Sequence, residues 1–148
     1  MVKKRILAVD DDNDILESVR IILESEGYLV ETAGRGAEAL EKALNQSFDL
    51  ALLDVKLPDM EGQKLLGRMG EIRPDMKKIM VTGNATTDNA IEALNNGADA
   101  YLTKPVDPEE LLKVVGSKLK EQDDTKKMNE EKVAEWLRIR VKTLEEEE

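Results

Sequence analysis

The chain has no cysteine and no histidine. Without cysteine there are no disulfides and no thiolate metal sites. Without histidine there is no imidazole base, no zinc site of the usual kind and no phosphohistidine of its own. Long apolar runs are missing too. No stretch approaches the roughly 20 residues that cross a bilayer. After the basic start Met1 to Arg5, only Ile6 to Val9 is apolar before acids arrive, which is too short for a signal peptide. Positive charge is in deficit, with 22 Lys and Arg against 32 Asp and Glu and a net charge of −10. That argues against a nucleic-acid surface and is compatible with a bound cation or a basic partner. We expect a soluble, cytoplasmic protein with no membrane and no nucleic-acid partner.

What is present is enough for a real core: 148 residues, 41% of them hydrophobic. That suits one compact domain plus a short appendage. Short apolar runs occur at Ile6–Val9, Tyr28–Val30, Leu50–Leu53, Ile79–Val81 and Ala100–Leu102. Between them lie amphipathic segments at helical spacing. The first carries Ile15, Leu16, Val19, Ile22 and Leu23 and stops at Gly27. The second is marked by Ala37, Leu40 and Leu44. The third carries Leu65, Leu66, Met69 and Ile72 and ends before Pro74. The fourth carries Ala90, Ile91 and Leu94, with Gly97 in the stop position. The fifth opens on Asp107-Pro108-Glu109-Glu110, an N-cap with proline at the first helical position and glutamate at the third.

Strand followed by helix, five times, predicts an α/β fold with a five-stranded parallel sheet covered on both faces. Gly67 and Gly70 weaken the third helix, each by about 1 kcal/mol relative to alanine. We place the domain at residues 1–120. After Lys120 the composition turns polar, and residues 121–129 read as a linker. Residues 130–144 read as a further helix with Val133, Leu137, Val141 and Leu144 on one stripe and Trp136 beside it, so that 121–148 form a linker and helical tail.

In an open parallel sheet, ligands bind outside the carboxyl ends of the strands. The first strand ends in Asp10-Asp11-Asp12, the third in Asp54, the fourth in Thr82-Gly83 and the fifth in Thr103-Lys104-Pro105. Carboxylates on one rim repel, and a hard divalent cation removes that cost. Asp10, Asp11 and Asp54 are suitable oxygen ligands for magnesium. A fixed ammonium and a hydroxyl beside a metal suit a phosphoryl group, and a carboxylate such as Asp54 is able to accept one. Asp12, Asn13 and Asp14 read better as helix-start residues, a reading that extends to Asp11. Taken singly, Thr82 is an ordinary strand-end hydroxyl, Lys104 a solvated lysine and Tyr101 a core aromatic. The case rests on their conjunction and on Asp54, an acid ending an apolar strand.

Over about residues 3–120 the sequence resembles the receiver domain of two-component response regulators. The resemblance rests on Asp10-Asp11, on Asp54 within LLDVKLPDMEG, on Thr82 and on Lys104-Pro105, in order and on the expected elements. It implies a doubly wound, flavodoxin-like (βα)5 sheet with strand order 2-1-3-4-5. It makes Asp54 the phosphoacceptor. Mg2+ would be held by Asp10, Asp11, Asp54 and the backbone carbonyl of Lys56. Lys104 and Thr82 would contact the phosphoryl group, with Gly83 offering an amide. Lys56 and Asn84 would tune dephosphorylation, and Lys104-Pro105 would be cis. Thr82 and Tyr101 would act as the switch, altering the surface of the fourth helix, fifth strand and fifth helix.

The expected function is a phosphorylation-activated signalling switch, not an enzyme beyond its own phosphorylation and dephosphorylation. The expected partners are a sensor histidine kinase or phosphotransfer protein, and a second copy of the chain in a homodimer. Two alternatives stand beside it: a phosphatase with an aspartyl-phosphate intermediate, and an inactive pseudo-receiver. Phosphatases of the haloacid-dehalogenase type carry an acid two residues after the nucleophile, where this chain has Lys56. For output, a single-domain regulator, a tail-mediated dimer and a fragment of a longer regulator all remain open.

Overall fold

The computed structural model describes residues 2–83 and 86–147. Its elements alternate: β1 (Arg5–Val9), α1 (Asn13–Ser25), β2 (Leu29–Ala33), α2 (Gly36–Asn45), β3 (Leu50–Asp54), α3 (Gly62–Ile72), β4 (Lys77–Thr82), α4 (Thr87–Asn95), β5 (Ala100–Thr103) and α5 (Pro108–Glu146). All neighbouring strands run parallel, in the order β2-β1-β3-β4-β5. This is the doubly wound arrangement that the alternating pattern and the family resemblance lead one to expect.

The sheet separates two apolar layers. Successive residues of a strand point to opposite faces. Along β3, Ala51 and Leu53 therefore join the layer under α2, α3 and α4, while Leu50 and Leu52 join the layer under α1 and α5. Every residue of β3 is buried, which is why its sequence is apolar up to the final acid. Each fully buried Leu or Ile contributes about 1.5–3 kcal/mol relative to exposure.

Helix starts follow the local chemistry. Asp12 caps α1, accepting from the N–H groups of Asp14 and Ile15, and Asp107 caps α5 through the Glu110 N–H at 3.1 Å. Gly27 and Gly97 lie just past α1 and α4 with positive φ, as expected of helix stops. The Lys104–Pro105 bond is cis.

Three sequence-based expectations need correction. First, the core-facing stripes of α2 and α4 are made by small residues. Ala39, Ala43 and Ala93 are fully buried, whereas Leu44 is 61% exposed, Ile91 51% and Leu94 52%. Second, β2 begins at Leu29 rather than Tyr28 and continues through Glu31 and Thr32 to Ala33. It is an edge strand, so its apolar content is lower than that of the central strands. Third, residues 121–129 are not a linker: α5 is one helix of 39 residues from Pro108 to Glu146, about 58 Å long at 1.5 Å per residue. The run of Glu, Gln, Asp and Lys after Lys120 is polar because that helix is solvated, and most of these are good helix formers.

The composition change at Lys120 marks the end of the buried stripe Leu111, Val115 and Leu119. It does not mark the end of contact with the domain. Gln122 Nε2 donates to the carbonyls of Asp49 (2.9 Å) and Asp75 (2.8 Å), and Lys4 pairs with Asp123 at 2.6 Å. Farther out, Val133, Trp136, Leu137, Val141 and Leu144 are exposed. Neither Gly67 nor Gly70 is required by close packing: Gly67 faces open space, and a Cβ at Gly70 would make only ordinary contact with Lys78.

Candidate functional site

The acids gather where the strands end. Asp10 follows the last residue of β1, and its N–H donates to the Ala33 carbonyl at 3.1 Å. Asp54 is the last residue of β3. Both are nearly inaccessible, at 5% and 6% exposure, while Asp11 is open to solvent. Carboxylate oxygens of Asp10, Asp11 and Asp54 all lie within 4.8 Å of one another. Asp12 and Asp14 serve the start of α1, as expected; the Asp12 N–H also donates to Asp10 Oδ1 at 3.0 Å, orienting that carboxylate.

Lys104 enters from the end of β5. Its Nζ lies 2.8 Å from Asp10 Oδ2 and 3.4 Å from Asp54 Oδ1. The Lys104 N–H donates to the Thr82 carbonyl at 2.7 Å, which fixes the loop after β5 against the end of β4. Thr82 is buried and stands one residue beyond Val81, the register partner of Asp54. Gly83 follows and is exposed. Asn84 lies outside the described residues. Lys56 is exposed, and its N–H donates to Asp54 Oδ1 at 3.4 Å. Tyr101 sits on β5 opposite Met80, partly buried against the α2/α3/α4 layer. Its hydroxyl is buried and, among the described residues, has no hydrogen-bond partner.

The electrostatics follow from this crowding. Burial pushes the Asp54 pKa upward, and the neighbouring Asp10 charge adds to it; Lys104 and the Lys56 N–H pull the other way without cancelling the rise. Burial works to lower the Lys104 pKa, but its hydrogen bond to Asp10 and the charges of Asp10 and Asp54 outweigh that, and the net direction is upward. One partly buried cation thus faces more negative charge than it neutralises. An all-oxygen donor set with surplus negative charge fits a hard divalent cation, which keeps several of its own waters.

The loop between β3 and α3 covers one side. The Gly62 N–H donates to the Val55 carbonyl at 2.7 Å, and Lys56 and Glu61 bridge across the loop. Any side chain at Gly62 would collide with the backbone of Asp54 and Val55, so glycine is required there. At the tip, Asp59 accepts from the N–H groups of Gly36 and Ala37. Asp59 was not singled out by the sequence. Its partners are more than 20 residues away, and its one local signal is its place after Pro58 in a turn.

A model of the response regulator receiver domain matches residues 6–116. The alginate biosynthesis transcriptional regulatory protein AlgB of Pseudomonas syringae pv. tomato is 41% identical over 107 residues, 72% of this chain and 24% of that protein. The transcriptional regulatory protein DltR of Streptococcus agalactiae is 37% identical over 108 residues, 73% of this chain and 48% of that protein. The chain thus spans about a quarter to a half of the length of these relatives. Among solved structures, a CheY-like receiver domain protein from Methanospirillum hungatei JF-1 superposes with a TM-score of 0.81 at 54% identity, covering 84% of this chain and 99% of that one. The beryllofluoride-activated NtrC4 receiver domain, solved as a dimer, gives 0.77 at 36% identity, covering 80% and 98%.

Proposed function

Because this chain belongs to the response regulator receiver domain family, we propose that Asp54 is its phosphoacceptor, that Mg2+ is its cofactor and that a sensor histidine kinase or phosphotransfer protein is its donor. The observation that carries this reading is the meeting of Asp10, Asp11, Asp54 and Lys104 at one strand-end rim, with the acids within 4.8 Å of one another and the ammonium among them.

A carboxylate oxygen of Asp54 attacks the phosphorus of a phosphohistidine on the partner. An O–P bond forms as the N–P bond breaks, and the imidazole leaves with the electron pair. Asp10, Asp11, Asp54 and the Lys56 carbonyl would hold the magnesium, which supplies charge neutralisation for the phosphoryl oxygens. Lys104 supplies a second, fixed positive charge, and Thr82 and the Gly83 N–H donate to the phosphoryl oxygens. Thr82 and Tyr101 relay occupancy to the face made by α4, β5 and α5. The exposed Ile91 and Leu94 on α4 support that face as an output surface. Residues 121–148 act as a tail whose exposed apolar stripe mates with a second copy of the chain. Cytoplasmic action fits these partners; among the described residues no helix is long and apolar enough to cross a membrane.

The test is incubation with Mg2+ and acetyl phosphate, read by intact mass, beside Asp54→Asn. A gain of one phosphoryl group by the wild type alone is expected. An equal gain by Asp54→Asn would overturn the assignment. A phosphatase reading lacks an acid at Lys56, two residues after Asp54.

A further inference from the structure

The first backbone donors of α2 are satisfied from across the site. Arg35, at the N-cap, makes no side-chain cap hydrogen bond. Instead the Gly36 N–H donates to Asp59 Oδ1 at 2.8 Å and the Ala37 N–H to Asp59 Oδ2 at 2.9 Å. These bonds hold the Asp59 carboxyl below its usual range, Ala37 contributing most and Gly36 next, and the start of a helix favours the anion. The next residue, Met60, lies so close over Gly36 that a Cβ there would strike its side chain. The tip of the β3–α3 loop is thereby fastened to a second element, while its base is closed by Val55, Gly62 and the Lys56–Glu61 bridge. Lys56 is itself part of that base, with its N–H on Asp54 at 3.4 Å.

We propose that Asp59 is a positioning residue for the phosphoacceptor site: by clamping the β3–α3 loop to the N-terminus of α2, it holds the main chain of Lys56 against the Asp54 carboxylate. Tied at its base alone, the hairpin keeps its shape but is free to pivot as a unit about the end of β3, and Lys56, part of that base, moves with it. Two charge-assisted bonds to adjacent amides remove that freedom. The carboxylate is supplied by the loop rather than by α2 itself, so the cap of α2 and the position of Lys56 are one structural event. By linkage, whatever fixes Lys56 also protects the start of α2. The metal part of this inference rests on the proposed Mg2+ site; the Lys56 part does not.

The experiment compares Asp59→Ala, Asp59→Asn and Glu41→Gly. The last weakens α2 from an exposed position remote from the loop. Two quantities are read: the amide resonance and exchange rate of Lys56 in metal-free protein, and the affinity for Mg2+ by titration. In Asp59→Ala the Lys56 amide shifts and exchanges faster, and Mg2+ binds about tenfold more weakly, as for loss of an outer partner of a metal ligand. Asp59→Asn falls between, because its carbonyl keeps one of the two bonds. Glu41→Gly lowers the melting temperature and leaves both quantities unchanged. If Asp59→Ala does not fold, Asp59→Asn carries the comparison. Wild-type values in the Asp59 variants, or equal changes in Glu41→Gly, overturn the proposal. If the wild type itself binds no Mg2+, the metal assignment falls, and the Lys56 amide still decides the role of Asp59.

Discussion

Lys104 is held by Asp10: its ammonium lies 2.8 Å from Asp10 Oδ2 and farther, 3.4 Å, from Asp54 Oδ1. At the proposed Mg2+ site the lysine and the cation would therefore compete for the same carboxylate. Lys104→Ala leaves Asp10 and Asp54 without their partly buried counter-charge. We expect the metal-free variant to lose roughly 2 kcal/mol, less than a fully buried pair because Lys104 is 21% exposed. We also expect it to bind Mg2+ several-fold more tightly, since no ammonium has to be displaced. Denaturant unfolding with and without Mg2+ checks both; a variant that binds Mg2+ more weakly would show that Lys104 supports the metal.

The raised pKa of Asp54 makes stability depend on pH in a defined direction. Its carboxyl is pushed up by burial and then by Asp10, so the folded protein holds this proton more tightly than the unfolded chain does. That contribution is complete below the unfolded value and is lost as pH rises through the folded one. Asp54→Asn removes it. In chelator, the variant should match the wild type at low pH and become progressively more stable than it as pH rises toward neutrality. A gap that closes on raising the pH would contradict the assigned cause.

Tyr101 buries a hydroxyl that finds no partner among the described residues. An unsatisfied buried hydroxyl costs about 1–3 kcal/mol. Tyr101→Phe should therefore be neutral or stabilising in the unphosphorylated protein, by up to about 1 kcal/mol after allowance for relaxation. Thermal unfolding decides. A loss of stability would mean that the hydroxyl has a partner in solution.

Truncation separates the two parts of α5. Cutting after Lys120 removes the Gln122 bonds to Asp49 and Asp75 and the Lys4–Asp123 pair. The two Gln122 bonds contribute about 0.5–1.5 kcal/mol each and the exposed Lys4–Asp123 pair adds little, so residues 1–120 should fold with stability lowered by roughly 1–3 kcal/mol. A cut after residue 127 retains these contacts and should leave the melting temperature close to wild type. Equal melting temperatures for the two truncations would show that Gln122 and Asp123 contribute nothing.

The fold was legible wherever one physical cause acted alone. β3 reads as a buried strand because both of its faces are covered, and Asp107-Pro108 reads as a helix start because the cap bonds are local. The failures share a cause as well. In α2 and α4 the sheet is approached by Ala39, Ala43 and Ala93. Small residues let these helices lie close, and the large residues that dominate an apolar count point outward. Residues 121–129 failed because linkers and solvated helices share a composition. At the site, the strand-end acids and Lys104 were visible from order and spacing. Asp59 was not, because its role depends on α2 being folded beside it.

The unbroken course of α5 gives it a mechanical property. Residues 108–123 are held against the domain, and from there to Glu146 a further 23 residues run on as the same rod, about 35 Å of it. A stiff rod anchored at one end is a lever arm. A tilt of about 5° at the bedded end sweeps the far end through about 3 Å, roughly the rise of two helical residues. Small displacements at the receiver therefore arrive at the exposed Val133–Leu144 stripe enlarged, and in a direction set by the domain rather than by the stripe itself.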